Sequence, residues 1–385
     1  MLRVSKFMRR LLALTAVGQA AFAAAAASVV PWPVAVVLAA AATIAFVPVA
    51  NRGLRGERHA VDLPYFVHWT ASFLAIALAP LALVLFALLH RPLAPAPAIG
   101  YLAALAIAAY GALVRRRWTR VQRVDVRIDG LDPRFDGYRI AHLSDLHIGP
   151  FTPRAWGLRW ARAASALDCD LAVVTGDLVT QGSAFHADIA DVVGAIRARD
   201  GVLLVMGNHD YAEAPESLVA MLEARGARVL RNESVVPRAG LFVAGIDDRW
   251  SRRADMDRAL EKRPDGASAI LLAHDPVDFE AAAARGVDLV LSGHTHGGQI
   301  ALPLAARRFN FGRLHRRHTL GFYRKGRSAL VVHPGLGTSG PPVRVGVAPA
   351  ILEITLRRGD PSGRRISSGP RARDRACSPS RRARG

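Results

Sequence analysis

The chain has 385 residues, of which 51% are hydrophobic and 21% are charged, and its length allows more than one structural unit. This combination argues against a single soluble domain and predicts two unlike parts. The formal net charge of +20 comes mainly from arginine, but no basic patch interleaved with aromatic residues accompanies it, so no nucleic-acid partner is expected. Two cysteines, Cys169 and Cys377, are too few for a disulfide framework.

The first part, residues 1–117, predicts a transmembrane anchor of about four helices. A spanning helix needs about 20 apolar residues. The first window is also compatible with a signal peptide, because it is rich in alanine and follows Arg9 and Arg10. Since no window contains Asp, Glu, Lys or Arg, an anchor is favoured over a transporter or channel. The windows are residues 11–30, 32–50, 68–89 and 96–114.

The loops between these windows alternate in charge. Basic residues are concentrated before residue 11, at 52–58 and at 115–120, whereas the loops at 31–33 and 90–91 carry one arginine between them. Short loops rich in Lys and Arg stay on the cytoplasmic side. With four spans, both ends of the anchor and the domain that follows are therefore expected in the cytoplasm; with three spans the alternation is lost.

The second part, residues 120–356, predicts an α/β domain. Short apolar runs that predict buried strands alternate with helical stretches at 153–167 and 184–199, a pattern typical of a largely parallel sheet. The intervals from Asp145 to Asp177 and on to Asn208 each match one strand–helix–strand unit, so these residues are expected after neighbouring strands. The apolar runs are residues 138–143, 171–175, 202–206, 269–273 and 289–292.

Three later segments predict further strands, some of them antiparallel: residues 240–245, 328–333 and 350–356. Beyond them, residues 357–385 form a basic tail rich in Arg, Ser, Pro and Gly. This composition predicts disorder. Contact between its arginines and anionic lipid is the alternative interpretation of the tail.

Metal-binding side chains follow each of the five apolar runs. In open α/β sheets, ligands bind beyond the carboxyl ends of the strands. Asp-x-His and His-x-His also place two side chains on one face if the backbone is extended. Imidazole, carboxylate and amide groups together suit borderline divalent metals. The motifs are Asp145-x-His147, Gly176-Asp177, Gly207-Asn208-His209-Asp210, His274-Asp275 and Gly293-His294-Thr295-His296.

These motifs, in this order, resemble those of the calcineurin-like metallophosphoesterases over residues 137–356. The segments 144–147, 297–299 and 335–340 resemble the membrane-associated bacterial branch of that family. The resemblance implies a four-layer α/β sandwich with two central mixed sheets. It also implies a bacterial inner membrane as the location.

The resemblance further implies two divalent ions, for which Mn, Fe and Zn all remain candidates. Asp177 would bridge them, and a hydroxide held between the ions would attack phosphorus in line. One ion would be bound by Asp145, His147, Asp177 and His296, and the other by Asp177, Asn208, His274 and His294.

His209 is not needed as a ligand, and the resemblance implies that it faces the phosphate. We expect it to stabilise or protonate the leaving oxygen, with Asp210 orienting its imidazole. His142 lies inside a predicted strand and is expected to be structural. The remaining histidines of the domain have no motif support: His186, His315, His318 and His333.

The expected substrate is a phosphodiester or pyrophosphate, with a lipid or nucleotide-lipid as the favoured class because the enzyme would be anchored in a membrane. Two alternatives stay open: a phosphatase or phosphodiesterase acting on soluble substrates, and a non-catalytic membrane scaffold that binds phosphate ligands. Membrane lipids are the expected partners. The sequence does not specify an oligomeric state.

Overall fold

The computed structural model describes residues 6–314, 316–359 and 375–376. Its chain divides into two compact units. One comprises residues up to Arg116 together with Gly340–Val345, and the other comprises Arg117–Ser339 and the residues from Gly346 onward. His315, Cys377 and nearly all of the predicted disordered tail lie outside the described residues.

The first unit is helical, and three of its four described helices are long and apolar enough to cross a membrane. The exception is α1, which carries three basic residues in its first turns and consists largely of alanine in its second half. The helices are α1 (Lys6–Ala26), α2 (Trp32–Leu54), α3 (Asp62–Leu88) and α4 (Ala96–Leu113).

Small residues let α3 and α4 pack closely. Ala71 and Ala75 on α3 form a buried cluster with Ala104 and Ala108 on α4. A Cβ atom at Gly100 would lie only 2.6 Å from the Cα of Ala79, so this crossing requires glycine. Close backbone approach at small residues is a common way for membrane helices to associate.

The second unit contains the thirteen strands and five further helices of the described residues. The strands are β1 (Arg120–Ile128), β2 (Arg139–Leu143), β3 (Leu171–Thr175), β4 (Val202–Val205), β5 (Ala227–Val229), β6 (Glu233–Arg238), β7 (Leu241–Gly245), β8 (Ser268–Leu272), β9 (Leu289–Ser292), β10 (Gly321–Lys325), β11 (Ser328–Val332), β12 (Ala350–Arg358) and β13 (Arg375–Ala376). The helices are α5 (Arg154–Ser165), α6 (His186–Val193), α7 (Pro215–Glu223), α8 (Met256–Leu260) and α9 (Phe279–Ala284).

The strands form two mixed sheets, in the orders β13-β1-β12-β2-β3-β4-β5 and β10-β11-β9-β8-β7-β6. Strands β2 to β5 are parallel, and β12 joins β2 in antiparallel orientation. In the second sheet, β7, β8, β9 and β11 are parallel, and the edge strands β6 and β10 are antiparallel to their neighbours. The segments at 240–245 and 328–333 are therefore strands, as predicted. Each is antiparallel to one neighbouring strand and parallel to the other.

The core explains why these sheets face each other. Apolar side chains that point inward from both sheets, such as Ile140 and Val173 from the first and Ile270 and Leu291 from the second, form one buried cluster. Helices α5, α6 and α7 cover the outer face of the first sheet. Helices α8 and α9 cover that of the second. The predicted four-layer sandwich is confirmed.

The topology also brings the motif residues together. Because β2, β3 and β4 are adjacent and parallel, the residues that follow them lie at one edge of the sheet, as the spacing of Asp145, Asp177 and Asn208 predicts. Strand β12 continues through Arg358 and pairs with β1 along its length. Strand β12 thus continues two residues past residue 356.

Truncating a side chain between the sheets should weaken the domain strongly. Ile140 is fully buried, so Ile140→Ala should lower the free energy of unfolding by about 2–5 kcal/mol, through lost burial and the cavity that remains. Val236 is an exposed residue of β6, and Val236→Ala should change it by less than about 0.5 kcal/mol. Pulse proteolysis in urea measures both; equal effects would contradict this assignment of the core.

Candidate metal centre

The first cluster consists of four buried residues that follow β2, β3 and β9. The Nε2 atoms of His147 and His296 lie 3.0 Å apart. Asp145 Oδ1 is 3.5 Å from His296 Nε2, and Asp177 Oδ2 is 3.5 Å from His147 Nε2. One potential ligand atom from each of these residues lies within 4.8 Å of all the others. Four donor groups of this type and spacing can surround one cation.

The second cluster shares Asp177 with the first. The same Oδ2 atom lies 3.2 Å from His274 Nε2, and that nitrogen lies 3.2 Å from His294 Nδ1. These three residues also offer ligand atoms within 4.8 Å of one another. The structure thus brings together six of the predicted ligands in two groups, joined by one carboxylate.

The backbone at these residues is left-handed, not extended. Residues other than glycine rarely adopt positive φ, and such strain is concentrated at functional sites. The expectation that an extended backbone aims both side chains of Asp-x-His and His-x-His is therefore wrong; a turn at each residue does so. The φ angles are 52° for Asp145, 45° for His147, 53° for Asp177, 67° for His294 and 51° for His296.

Two glycines allow the motifs to approach one another. A Cβ atom at Gly207 would collide with the side chain of Asp177, and one at Gly293 would collide with Ser144 and Asp145. Both positions have a φ that other residues can adopt, so space rather than backbone conformation requires glycine.

Two oxygen atoms of the site lack hydrogen-bond partners among the described residues. Oδ2 of Asp145 and Oδ1 of Asn208 are both buried and unbonded. Leaving buried polar atoms unsatisfied is costly. Asn208 directly follows Gly207, where an added Cβ atom would meet Asp177 and His274. These unbonded oxygen atoms lie near several imidazoles. Together they offer the nitrogen and oxygen ligands that borderline divalent cations accept.

The charges of the site favour a cation beside Asp177. Burial alone would raise the pKa of Asp177, but the neighbouring imidazoles of His274 and His209 lower it well below its usual range. Burial alone would lower the pKa of His274, yet the Asp177 carboxylate raises it to about 10. Burial and the charge of the adjacent His274 lower the pKa of His294 to about 4.

Buried hydrogen bonds from the end of β3 orient His274. Its Nδ1 lies 2.7 Å from the carbonyl oxygen of Thr175, so Nδ1–H donates there and Nε2 is directed to Asp177. The Thr175 hydroxyl bonds to Ser144 and to His142 Nε2, at 2.8 and 2.9 Å. His142 therefore supports the site from the sheet, consistent with the structural role expected for it. Partners of this kind fix the tautomer of metal-binding histidines.

His209 lies beside the first cluster, with its ring centroid 4.8 Å from that of His147. Its backbone N–H donates to Asp177 Oδ1 at 3.0 Å. Its Nδ1 lies 2.6 Å from the carbonyl oxygen of Thr180. The prediction that Asp210 orients this imidazole is wrong, because the Thr180 carbonyl occupies that position.

The buried Asp210 carboxylate instead holds the backbone of two motifs. Its Oδ1 accepts hydrogen bonds from the N–H groups of Leu178 and Val179, and its Oδ2 accepts one from Gly207. Burial and the nearby charge of Asp177 raise the pKa of Asp210 to about 7. Asp210 thus fixes the turns that carry Asp177 and Asn208.

Asp210→Asn should weaken cation binding, because one amide N–H of the new side chain would face a backbone N–H. Loss of a residue that supports metal ligands typically costs about 10–100-fold in metal affinity, and we expect a decrease of that size for Mn²⁺, measured by titration calorimetry. Asp265→Asn, at an exposed position, serves as the control. Unchanged Mn²⁺ affinity in Asp210→Asn would contradict the positioning role.

A second group of side chains at the site has no counterpart in the sequence prediction. Arg316 Nη1 contacts both oxygens of the buried Asp275, at 3.0 and 2.9 Å, and its Nη2 lies 3.3 Å from His294 Nε2. Trp250 donates from Nε1 to Asp275 at 3.2 Å, and Arg316 stacks on its ring. Arg316 comes from a loop distant in sequence, so no local sequence pattern predicts its contact with Asp275. The only sequence signal for Asp275 is its position directly after His274.

The other described histidines of the domain outside the two clusters make packing contacts. The ring of His333 lies 4.8 Å from that of His142 in a tilted arrangement, and its Nδ1 accepts from the N–H of Gly335. His318 packs between Phe279 and Tyr323. His186 is buried within α6.

Comparison with known proteins agrees with this geometry. Residues 138–298 match the family model of the calcineurin-like phosphoesterases. A metallophosphoesterase of Aquifex aeolicus is 30% identical over 248 residues, which cover 62% of this chain and 92% of that protein. The bovine "transmembrane protein with metallophosphoesterase domain" is 30% identical over 288 residues, covering 69% of this chain. A Danio rerio protein of the same name is 30% identical over 269 residues, covering 66% of this chain.

The chain belongs to the calcineurin-like metallophosphoesterase family. It spans 64% of the length of the bovine relative and 60% of the Danio rerio relative. The predicted family and fold are thereby confirmed. The roles of individual residues stay predictions.

Proposed function

We propose that the chain is a membrane-anchored hydrolase of phosphoesters that uses two divalent ions. The observation that carries this proposal is Asp177, whose Oδ2 lies within 3.5 Å of ligand nitrogens in both clusters. One ion would be held by the first cluster, and the second by Asp177, Asn208, His274 and His294. The donor set suits Mn, Fe or Zn.

The bound ions would supply Lewis acidity and an activated water for attack on phosphorus. The protein's part is to fix the geometry before the reaction, so that little reorganisation is needed as charge develops. Asp210 holds two of the turns, the Thr175 carbonyl fixes His274, and the glycines let the strands converge. The rigid backbone thereby fixes where a phosphoryl group can bind.

His209 is the proposed general acid. With both ring nitrogens protonated, Nδ1–H is held by the Thr180 carbonyl at 2.6 Å, and the Nε2 proton can pass to the leaving oxygen. Its backbone N–H donates to Asp177, so the imidazole would keep a fixed position relative to the two metal ions.

Hydrolysis of bis-p-nitrophenyl phosphate by the purified full-length chain tests the function. Wild-type protein should show Mn²⁺-dependent turnover, and Asp177→Asn should lose it together with bound metal. Asparagine tolerates the left-handed backbone at this position, so the variant should fold. Metal binding without turnover in the wild-type protein would instead identify a scaffold.

His209→Ala should separate acid catalysis from metal binding. Loss of a general acid reduces turnover by about 10²–10⁴-fold, whereas the metal content, measured by atomic emission, should match that of the wild-type protein. Unchanged turnover would show that His209 has no role in protonation.

We further propose that the substrate is a lipid or nucleotide-lipid phosphodiester or pyrophosphate. Three membrane-capable helices and the name of the bovine relative support membrane attachment. If α3 and α4 both span, the basic segments at 52–58 and 115–120 lie on the same side of the membrane and favour a cytoplasmic catalytic domain, consistent with a bacterial inner membrane.

Substrate presentation tests this choice. The reconstituted chain should hydrolyse a phosphodiester embedded in vesicles with a higher kcat/KM than a soluble analogue with the same leaving group. Equal values for the two presentations would favour a phosphatase or phosphodiesterase of soluble substrates.

A further inference from the structure

One surface of the catalytic unit is apolar without being buried. Between β9 and β10, residues 302–317 form a loop, here called the 302–317 loop, of which all but His315 are described. Leu304 is 109% exposed and Leu314 is 72% exposed, and Leu302 and Phe309 are more than half exposed. Contacts with the rest of this unit do not account for these side chains.

The exposed tip is held by hydrogen bonds. The N–H of Leu302 donates to the carbonyl of Phe309 at 3.0 Å, and Asn310 Nδ2 donates to the carbonyl of Ala306 at 2.7 Å. Leu304, at the tip, has a φ of 66°, an unfavourable conformation for a leucine. A strained and fully exposed leucine adds nothing to the core, which points to a contact outside the chain.

The loop is also basic. No Asp or Glu occurs between Asp288 and Glu353, whereas the 302–317 loop alone contains five arginines. Among the described residues, no carboxylate lies within ion-pair distance of the exposed Arg308 or Arg313. Several arginines elsewhere in the unit form ion pairs, such as Arg139 with Glu353 at 2.6 Å. The charges of Arg308 and Arg313 are thus available to an anionic surface.

The loop adjoins the candidate metal centre. Its Arg316 contacts Asp275 and lies 3.3 Å from His294 Nε2. Arg316 also stacks on Trp250, a second exposed apolar side chain, at 59% exposure. Tryptophan, leucine and arginine together are typical of segments that lie in a membrane interface.

We propose that the 302–317 loop binds the surface of an anionic lipid bilayer, with its leucines entering the interface and its arginines contacting lipid head groups. An anionic membrane attracts exposed arginines close to its surface. The two most exposed apolar side chains of the loop are Leu304 and Leu314, which offer no ring on which a nucleic-acid base could stack, so they favour lipid over RNA. The proposal rests on membrane attachment of the chain but not on hydrolysis.

Depth-dependent fluorescence quenching tests it on the full-length chain. Leu304→Cys, and in a second variant Leu314→Cys, would carry an environment-sensitive dye in a Cys377→Ser background. Cys169 is buried, and burial raises its pKa to about 11, so it should stay unlabelled. The protein would be reconstituted in vesicles containing phosphatidylglycerol and a lipid with a nitroxide near the head-group end of its acyl chain.

The matched control is Val236→Cys, an exposed apolar position on β6, at the edge of the second sheet opposite β10. Dyes at 304 and 314 should be quenched several-fold more than the dye at 236. Replacing Arg308 and Arg313 by Gln, or using purely zwitterionic lipid, should reduce the difference. Equal quenching of the dyes at 304, 314 and 236 would overturn the proposal. A change in the emission of the loop dyes on adding RNA, with no change on adding lipid, would also overturn it.

Discussion

The carboxylate of Asp177 is the constraint on which the rest of the site depends. Its Oδ2 faces His147 on one side and His274 on the other, at 3.5 and 3.2 Å, and its Oδ1 accepts the N–H of His209. A group with so many partners must be held rigidly. The left-handed turn after β3, the close approach of Gly207 and the backbone bonds of Asp210 achieve this, so fold and chemistry meet at this residue.

The gathering of the ligands could be predicted from the sequence because two simple rules combine. Apolar runs mark buried strands, and the carboxyl ends of adjacent parallel strands meet at one edge. Asp145, Asp177 and Asn208 follow three such runs, and their strands are indeed neighbours. The left-handed turns were not predictable, because aspartate and histidine adopt positive φ more often than most residues but still only rarely.

Contacts made by backbone atoms or by residues from distant loops could not be predicted from the sequence. The partner of His209 is the backbone carbonyl of Thr180. Every residue has such a carbonyl, so no residue type marks this partner, whereas the adjacent Asp210 carries a side chain that could have accepted the hydrogen bond. Arg316 reaches Asp275 from the 302–317 loop, whose path depends on how both sheets pack. The helical unit shows the same limit for α1, where composition alone left the number of membrane spans open and the structure identifies three membrane-capable helices.

The most direct test is the electron paramagnetic resonance spectrum of the full-length chain loaded with Mn²⁺. The account predicts two ions per chain, about 3.5–4 Å apart as in other two-metal sites, with a spin-coupled signal that Asp177→Asn abolishes together with the bound Mn²⁺. A single ion at saturation, or two uncoupled ions in the wild-type protein, would contradict the shared carboxylate and with it the proposed hydrolase.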